Sequence, residues 1–324
     1  MISKQKDYNI QLFRALAIMA VVLIHTCPSG EWQVICRPFI NFSVATFLFL
    51  SGYLTNTDND YWEKFFKKRI VRVIIPYIIW TILYSVASKA WTPKALALNL
   101  LTAKSAATMY YIFVYIQFVM LTPLLGRLAK SKYQWMGWLV APLSVMIFKY
   151  YPLLMGFEYP SIIKILWGDS CLGWFTYYYL GLLLGNRILV RDYKMSHLLI
   201  CYGIAIVLNM AEGYWWLQLG ENNCGTQIKL SSFLTSSIFL LIIYTYLKTT
   251  KKVDINKSLK LIGDYSFGIY LSHIMFMRIL AYVPYYNSLP YVVNSAIVLA
   301  ISFGFVYIGN KILGSPINKW LGFK

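Results

Sequence analysis

Arg14 and His25 sit in "NIQLFRALAIMAVVLIHTCP", residues 9–28, a stretch otherwise apolar enough to lie in lipid. They are eleven residues apart. At about 100° per residue this is about 20° past three full turns, so both side chains leave one face of a helix, about 16 Å apart along its axis. "ALAIMAVVLI" between them has no Gly or Pro, so the helix is expected to be continuous. Arg at mid-membrane costs about 2.5–3.5 kcal/mol on insertion scales, so it calls for a polar cavity or a partner. Two plainer readings stand beside this. Arg14 is close enough to the helix start to snorkel to headgroups, and His25 suits an interfacial imidazole. Taken together, however, the pair can do chemistry. A neutral imidazole near pH 7 takes protons as a general base, and a guanidinium below it can bind an anionic ligand.

The composition points to a membrane protein. The chain has 324 residues, 59% hydrophobic and 13% charged, with a mean hydropathy of +0.56. Soluble domains run about 45–50% apolar and about 25% charged, so a water-soluble surface is excluded. The net charge of +18 would suit a nucleic-acid binder, but the cations lie between hydrophobic spans and read as a topology signal, leaving no nucleic-acid partner. Five cysteines are an odd number. Cys27 and Cys36 flank one short loop and either pair there, if it faces an oxidising space, or remain free thiols. No spacing suggests a metal site, and no bound cofactor is expected.

About 20 apolar residues cross a bilayer as a helix, and ten candidates follow along the chain: 9–27, 38–56, 70–88, 106–127, 133–150, 169–187, 197–217, 229–247, 261–282 and 291–313. Helix is the assignment because lipid satisfies no open backbone group. The expectation is an all-α polytopic protein, one domain over 1–324, with about ten helices around a polar pore. "HTCPSGEW" has no small-x-small cleavage site, so the first span is expected to stay. With the N-terminus inside, 21 Lys and Arg fall on the inner side and 7 on the outer, while Arg14 and Arg278 lie within spans. That asymmetry places both termini in the cytoplasm.

The Arg-x10-His pair followed by "FLFLSGYLT" (47–55) resembles the acyltransferase-3 family of integral membrane acyltransferases. "KKRIVRVIIPYIIW" (67–80) resembles the family's basic loop and the Pro entering its third span. "YYIFVYIQFVMLTPLL" (110–125) is similar to its fourth span, with Tyr where a Trp is usual near the start. "WFTYYYLGLLLGNR" (174–187) resembles the Gly-punctuated sixth span, and "IGDYSFGIYLSHIMF" (262–276) the late span ending in Tyr-Leu-x-His. The resemblance covers nearly the whole chain. It implies transfer of an acyl group, usually acetyl, from cytoplasmic acyl-CoA, a co-substrate, to a glycan or lipid-linked saccharide in the plasma (inner) membrane, with membrane lipid as the surrounding partner. Some relatives carry an esterase-like domain after the membrane part. This chain ends at Lys324, so transfer is expected to finish in the pore or to pass to a separate protein.

The resemblance tips Arg69 and Arg72, spaced i,i+3 on one helix face, from a topology signal toward donor binding with Arg14. It casts His25 as base on an acceptor hydroxyl or as brief acyl carrier, a choice the residues leave open. His273, Tyr265 and Asp169 are candidate pore or acceptor residues. Asp264 either joins them or caps its helix. The Trp-rich "AEGYWWLQLGENN" (211–223) either stacks on sugar or forms an interfacial belt. A transporter of a small solute such as an amino acid, and a scaffold without chemistry, are the rival readings. Cysteines introduced within 57–66 should be labelled only from the cytoplasmic side and those within 28–37 only from outside. The reverse pattern would overturn the entry of donor from the cytoplasm.

Overall fold

Lipid offers no partner to a backbone N–H or C=O, so each segment must close its own hydrogen bonds. The computed structural model describes residues 8–58, 61–250 and 257–323. Lys4, Lys6, Lys251, Lys252 and Lys324, counted above on the inner side, lie outside the described residues. The helices are α1 (Tyr8–Thr26), α2 (Glu31–Cys36), α3 (Phe42–Tyr53), α4 (Trp62–Ala87), α5 (Pro93–Thr102), α6 (Tyr110–Ala129), α7 (Met136–Val145) and α8 (Tyr151–Met155). They continue with α9 (Ser161–Gly168), α10 (Phe175–Gly185), α11 (Met195–Gln218), α12 (Leu230–Thr249), α13 (Lys257–Asp264), α14 (Ser266–Leu280), α15 (Tyr291–Ile312) and α16 (Ser315–Trp320). As the absence of Gly and Pro requires, α1 is unbroken between Arg14 and His25.

Eight helical segments are long and apolar enough to cross a membrane. The expected count of ten is therefore approximate: its sixth span is shorter than proposed, and its ninth is divided at Tyr265, so that neither holds one helix long enough to count. They appear as α10, with 11 residues, and α14, with 15. At 1.5 Å per residue these reach about 16 and about 22 Å, against a hydrocarbon core of about 30 Å. The reason is burial in protein. Every residue from Phe175 to Leu184 is buried, as are Gly268 to Ile274. A segment sheathed by other helices can break at membrane depth because its neighbours, not lipid, receive the freed groups. α13 passes into α14 at Tyr265 with Tyr265 N 3.0 Å from Leu261 O and Ile269 N 3.0 Å from Tyr265 O.

α10 is held by direct backbone approach to α3. A Cβ on Gly181 would lie 2.2 Å from Phe49 O, and one on Gly185 2.1 Å from Tyr53 O. "GLLLG" is thus a small-xxx-small seam, which lets two helices touch where lipid provides no hydrophobic drive. Around it pack Leu48, Phe49, Phe118, Trp174 and Tyr178, with Phe118 stacked on Tyr178 at 4.7 Å.

Hydrogen bonds sort the loops onto two faces. Thr57 N lies 3.0 Å from Asn186 Oδ1, Lys130 pairs with Asp58 and Lys248 with Asp192. On the other face Arg37 reaches Asn223, Asn41 reaches Gly225, and Arg278 reaches Ser88 and Ser105. Loops after odd spans meet on one face and loops after even spans on the other, the parity that successive crossings demand.

Gly181→Leu should destabilise the protein by more than the about 1–3 kcal/mol of ordinary overpacking, because the new Cβ meets backbone. Gly304→Leu, where a Cβ meets nothing within 4 Å, is the control. Thermal unfolding in detergent checks this, and equal midpoints for the two variants would contradict it.

Candidate active site

α1 opens on two cavities. Arg14 lines the inner one, about 500 Å³, with Ser51, Phe65, Lys68, Arg69, Arg72 and Asp264. His25 lines the outer one, about 250 Å³, with Arg37, Tyr110, Trp174, Asn223 and Gln227. Both side chains are half-buried in the bundle. The shared stripe on α1 therefore delivers a cation to one compartment and an imidazole to the other.

In the inner cavity α4 contributes Lys68, Arg69 and Arg72 from its first turns. Arg69 donates from Nη1 to Ser51 Oγ at 3.2 Å, and its guanidinium lies 4.7 Å from the Phe65 ring centroid. None of Arg14, Lys68, Arg69 and Arg72 forms a salt bridge among the described residues. Four cations converging with one carboxylate, Asp264, leave an excess of positive charge, which suits a ligand carrying several negative charges.

Tyr270 lines both cavities and so stands as the wall between them. Its hydroxyl donates to the Thr108 carbonyl, and its ring rests 5.4 Å from that of Tyr111. On the outer side the His25 and His273 rings lie 5.3 Å apart. The bond to Thr108 ties α14 to the segment ahead of α6 and holds the wall in place.

The remaining candidates separate. His273 is fully buried beside His25. Asp169 follows α9 next to Gly168, a lining residue of the outer cavity, and its backbone oxygen accepts from Gln117 Nε2 at 2.7 Å. Tyr265 lines neither cavity. Its hydroxyl is 3.2 Å from Asn310 Oδ1 and its ring faces Phe303 and Tyr307 of α15. Of the Trp-rich segment, Asn223 alone reaches the outer cavity, while Trp216 is buried in a separate core cluster. Cys27 and Cys36 are free thiols, and burial raises the Cys27 thiol, beyond the end of α1, to about 11.

Sequence reasoning missed Arg37 and Tyr270. Arg37 was counted only as an outer-loop charge. It donates to Gln33 Oε1 at 3.2 Å, Asn223 Oδ1 at 3.1 Å and Ile24 O at 3.3 Å, which braces the outer cavity floor. The signal that could have found it is a lone cation at the head of an apolar span. Tyr270 is the Tyr of the Tyr-Leu-x-His stretch, a signal that set it near His273 but not between two cavities.

The family model described as an acyltransferase domain matches residues 7–310. The chain belongs to the acyltransferase-3 family. Neither a curated protein nor a solved structure matches it. The protein is thus a multi-pass membrane enzyme that transfers acyl groups.

If Tyr270 is the wall, Tyr270→Ala should join the two cavities. In a background without native cysteines, a thiol at Gln227→Cys should then react with a charged reagent supplied from the inner-cavity side. With Tyr270 intact it should not, and equal labelling in both would show that the wall lies elsewhere.

Proposed function

We propose that this membrane acyltransferase moves an acyl group, acetyl in the first instance, from acyl-CoA in the inner cavity to a hydroxyl of a cell-surface glycan or lipid-linked saccharide in the outer cavity. The enzyme then lies in the plasma membrane with both termini in the cytoplasm. One observation carries the reading: a single continuous helix presents Arg14 to a polycationic cavity and His25 to a second cavity on the opposite side of Tyr270. The face bearing Lys68, Arg69 and Arg72 is also the face richer in Lys and Arg, which supports donor entry from the cytoplasm.

The nucleotide phosphates would sit against Arg69, Arg72 and Lys68, with Arg14 further in. The thin pantetheine arm would pass Tyr270 and bring the thioester to His25, a span of about 16 Å. His25 takes the proton of the acceptor hydroxyl, whose oxygen bonds to the thioester carbonyl carbon. As the C–S bond breaks, the imidazolium returns the proton to the leaving thiolate, giving an ester and free coenzyme A.

Labelled acetyl-CoA supplied to inside-out membrane vesicles tests the reading by transfer of label to saccharide. His25→Ala should lose about 10²–10⁴ in rate, the usual cost of removing a general base, with donor binding retained. Arg69→Ala and Arg72→Ala should each weaken donor binding about 10- to 100-fold, as loss of a charged hydrogen bond of about 1.5–3 kcal/mol implies, with a marked salt dependence. A trapped acyl-histidine would make His25 a carrier in place of a base. Movement of a small solute with no label transferred would favour transport and overturn the proposal.

A further inference from the structure

His273 was the least explained candidate, and its surroundings are specific. It is 0% exposed. Its Nδ1 is 3.1 Å from the carbonyl oxygen of Ile269, one turn back on α14. A carbonyl oxygen only accepts, so Nδ1 carries the proton and donates it. A neutral imidazole has a single N–H, so Nε2 holds a lone pair. That nitrogen is buried and meets no hydrogen-bond partner among the described residues.

The polar neighbours on the same helix are already engaged. The Tyr270 hydroxyl is committed to Thr108, and Ser272 Oγ donates to Gly268 O at 2.9 Å. His25 is the polar ring in contact, at 5.3 Å between centroids and 51° between planes. His25 makes no side-chain hydrogen bond of its own among the described residues.

We propose that His273 is a positioning residue for His25. Its Nε2, unpartnered in this geometry and beside the His25 ring, accepts a hydrogen bond from one ring N–H of His25 after a small turn of the rings, which fixes the His25 tautomer and turns the other nitrogen, lone pair outward, toward the outer cavity. A carboxylate does this for the histidine of a catalytic triad. At membrane depth a carboxylate is costly, and a neutral imidazole held by a backbone carbonyl performs the same orientation without a buried charge. The inference rests on His25 being the base. During transfer the hydroxyl proton moves to the outward nitrogen of His25 and then to the leaving thiolate, while His273 takes no proton. The N–H of the transient imidazolium is a stronger donor than that of the neutral ring, so the bond to His273 tightens as the acceptor oxygen attacks. An interaction that strengthens only in the transition state raises kcat and leaves donor binding unchanged.

Nitrogen-15 histidine NMR of the full chain in nanodiscs tests this, because the protein has three histidines and His197 is exposed. His25 should show a single tautomer in the native protein and both tautomers in His273→Phe. In the vesicle assay His273→Phe should lower kcat by less than the about 10²–10⁴ lost with the base itself, with acetyl-CoA affinity unchanged. His273→Gln, whose amide oxygen can accept in place of Nε2, should recover most of that loss. The double variant His25→Ala/His273→Phe should be no slower than His25→Ala alone. Mixed His25 tautomers in the native protein, or a tautomer unmoved by His273→Phe, would overturn the inference, and so would additive losses in the double variant. Should His273→Phe fail to insert, the native tautomer and His273→Gln decide. An inactive His25→Ala with the His25 tautomer unperturbed in His273→Phe, or mixed in His273→Gln, sinks this inference alone, whereas a fully active His25→Ala sinks the base reading with it.

Discussion

A guanidinium and an imidazole on one helix cannot both be turned to lipid, and the rest of the bundle follows from that. Lipid rejects Arg14 by several kcal/mol, so α1 must be enclosed on the face that carries it. α3, α13, α14 and α15 pack against α1. The enclosure cannot be tight, because a charge pressed into a dry core is costlier still. The result is a sheath with two hollows in it, one at Arg14 and one at His25. The polar stripe of the first helix thus dictates where the bundle must stay open.

Enclosure also explains the short helices. A helix facing lipid needs the full bilayer thickness, whereas one wrapped by other helices is free of that requirement. α10 and α14 both have long buried stretches, and they carry the Gly181–Gly185 seam, on α10, and the wall residue Tyr270 with His273, on α14. α3, which that seam holds against α10, also lines the inner cavity with Ser51.

Much of this was legible in the residues, and the limits have physical causes. The eleven-residue spacing of Arg14 and His25 and the lack of Gly or Pro between them were enough to place both on one face of a continuous helix. Periodicity and apolar length located the spans, because bilayer thickness sets a minimum. The same argument overestimated α10 and missed the division between α13 and α14, since hydropathy registers an apolar segment without telling whether lipid or protein surrounds it. Tyr265 sits next to Asp264 in the chain, yet one faces α15 and the other the inner cavity. About 100° per residue separates them, and only the packing says which points inward. Arg37 and Tyr270 escaped because their significance lies in what they meet across the bundle, and chain separation erases that.

A tyrosine wall between the cavities has a physical logic of its own. A continuous polar channel through the bundle would let ions cross the membrane, while a purely apolar plug would strand the polar amides of any extended ligand. Tyrosine offers an apolar ring with one polar tip. Tyr111 and Tyr270 supply two such rings in contact at the boundary, 5.4 Å apart, and Tyr110 a third on the outer side. The Tyr270 hydroxyl is anchored to a backbone carbonyl at Thr108, so its tip is satisfied when the wall is closed. A ligand arm that displaced the ring would have to replace that hydrogen bond, which an amide N–H or carbonyl along the arm can do and a hydrated ion cannot without shedding its water. On the proposed donor route, such a wall would hold back hydrated ions and let pass a thin chain that carries its own amides.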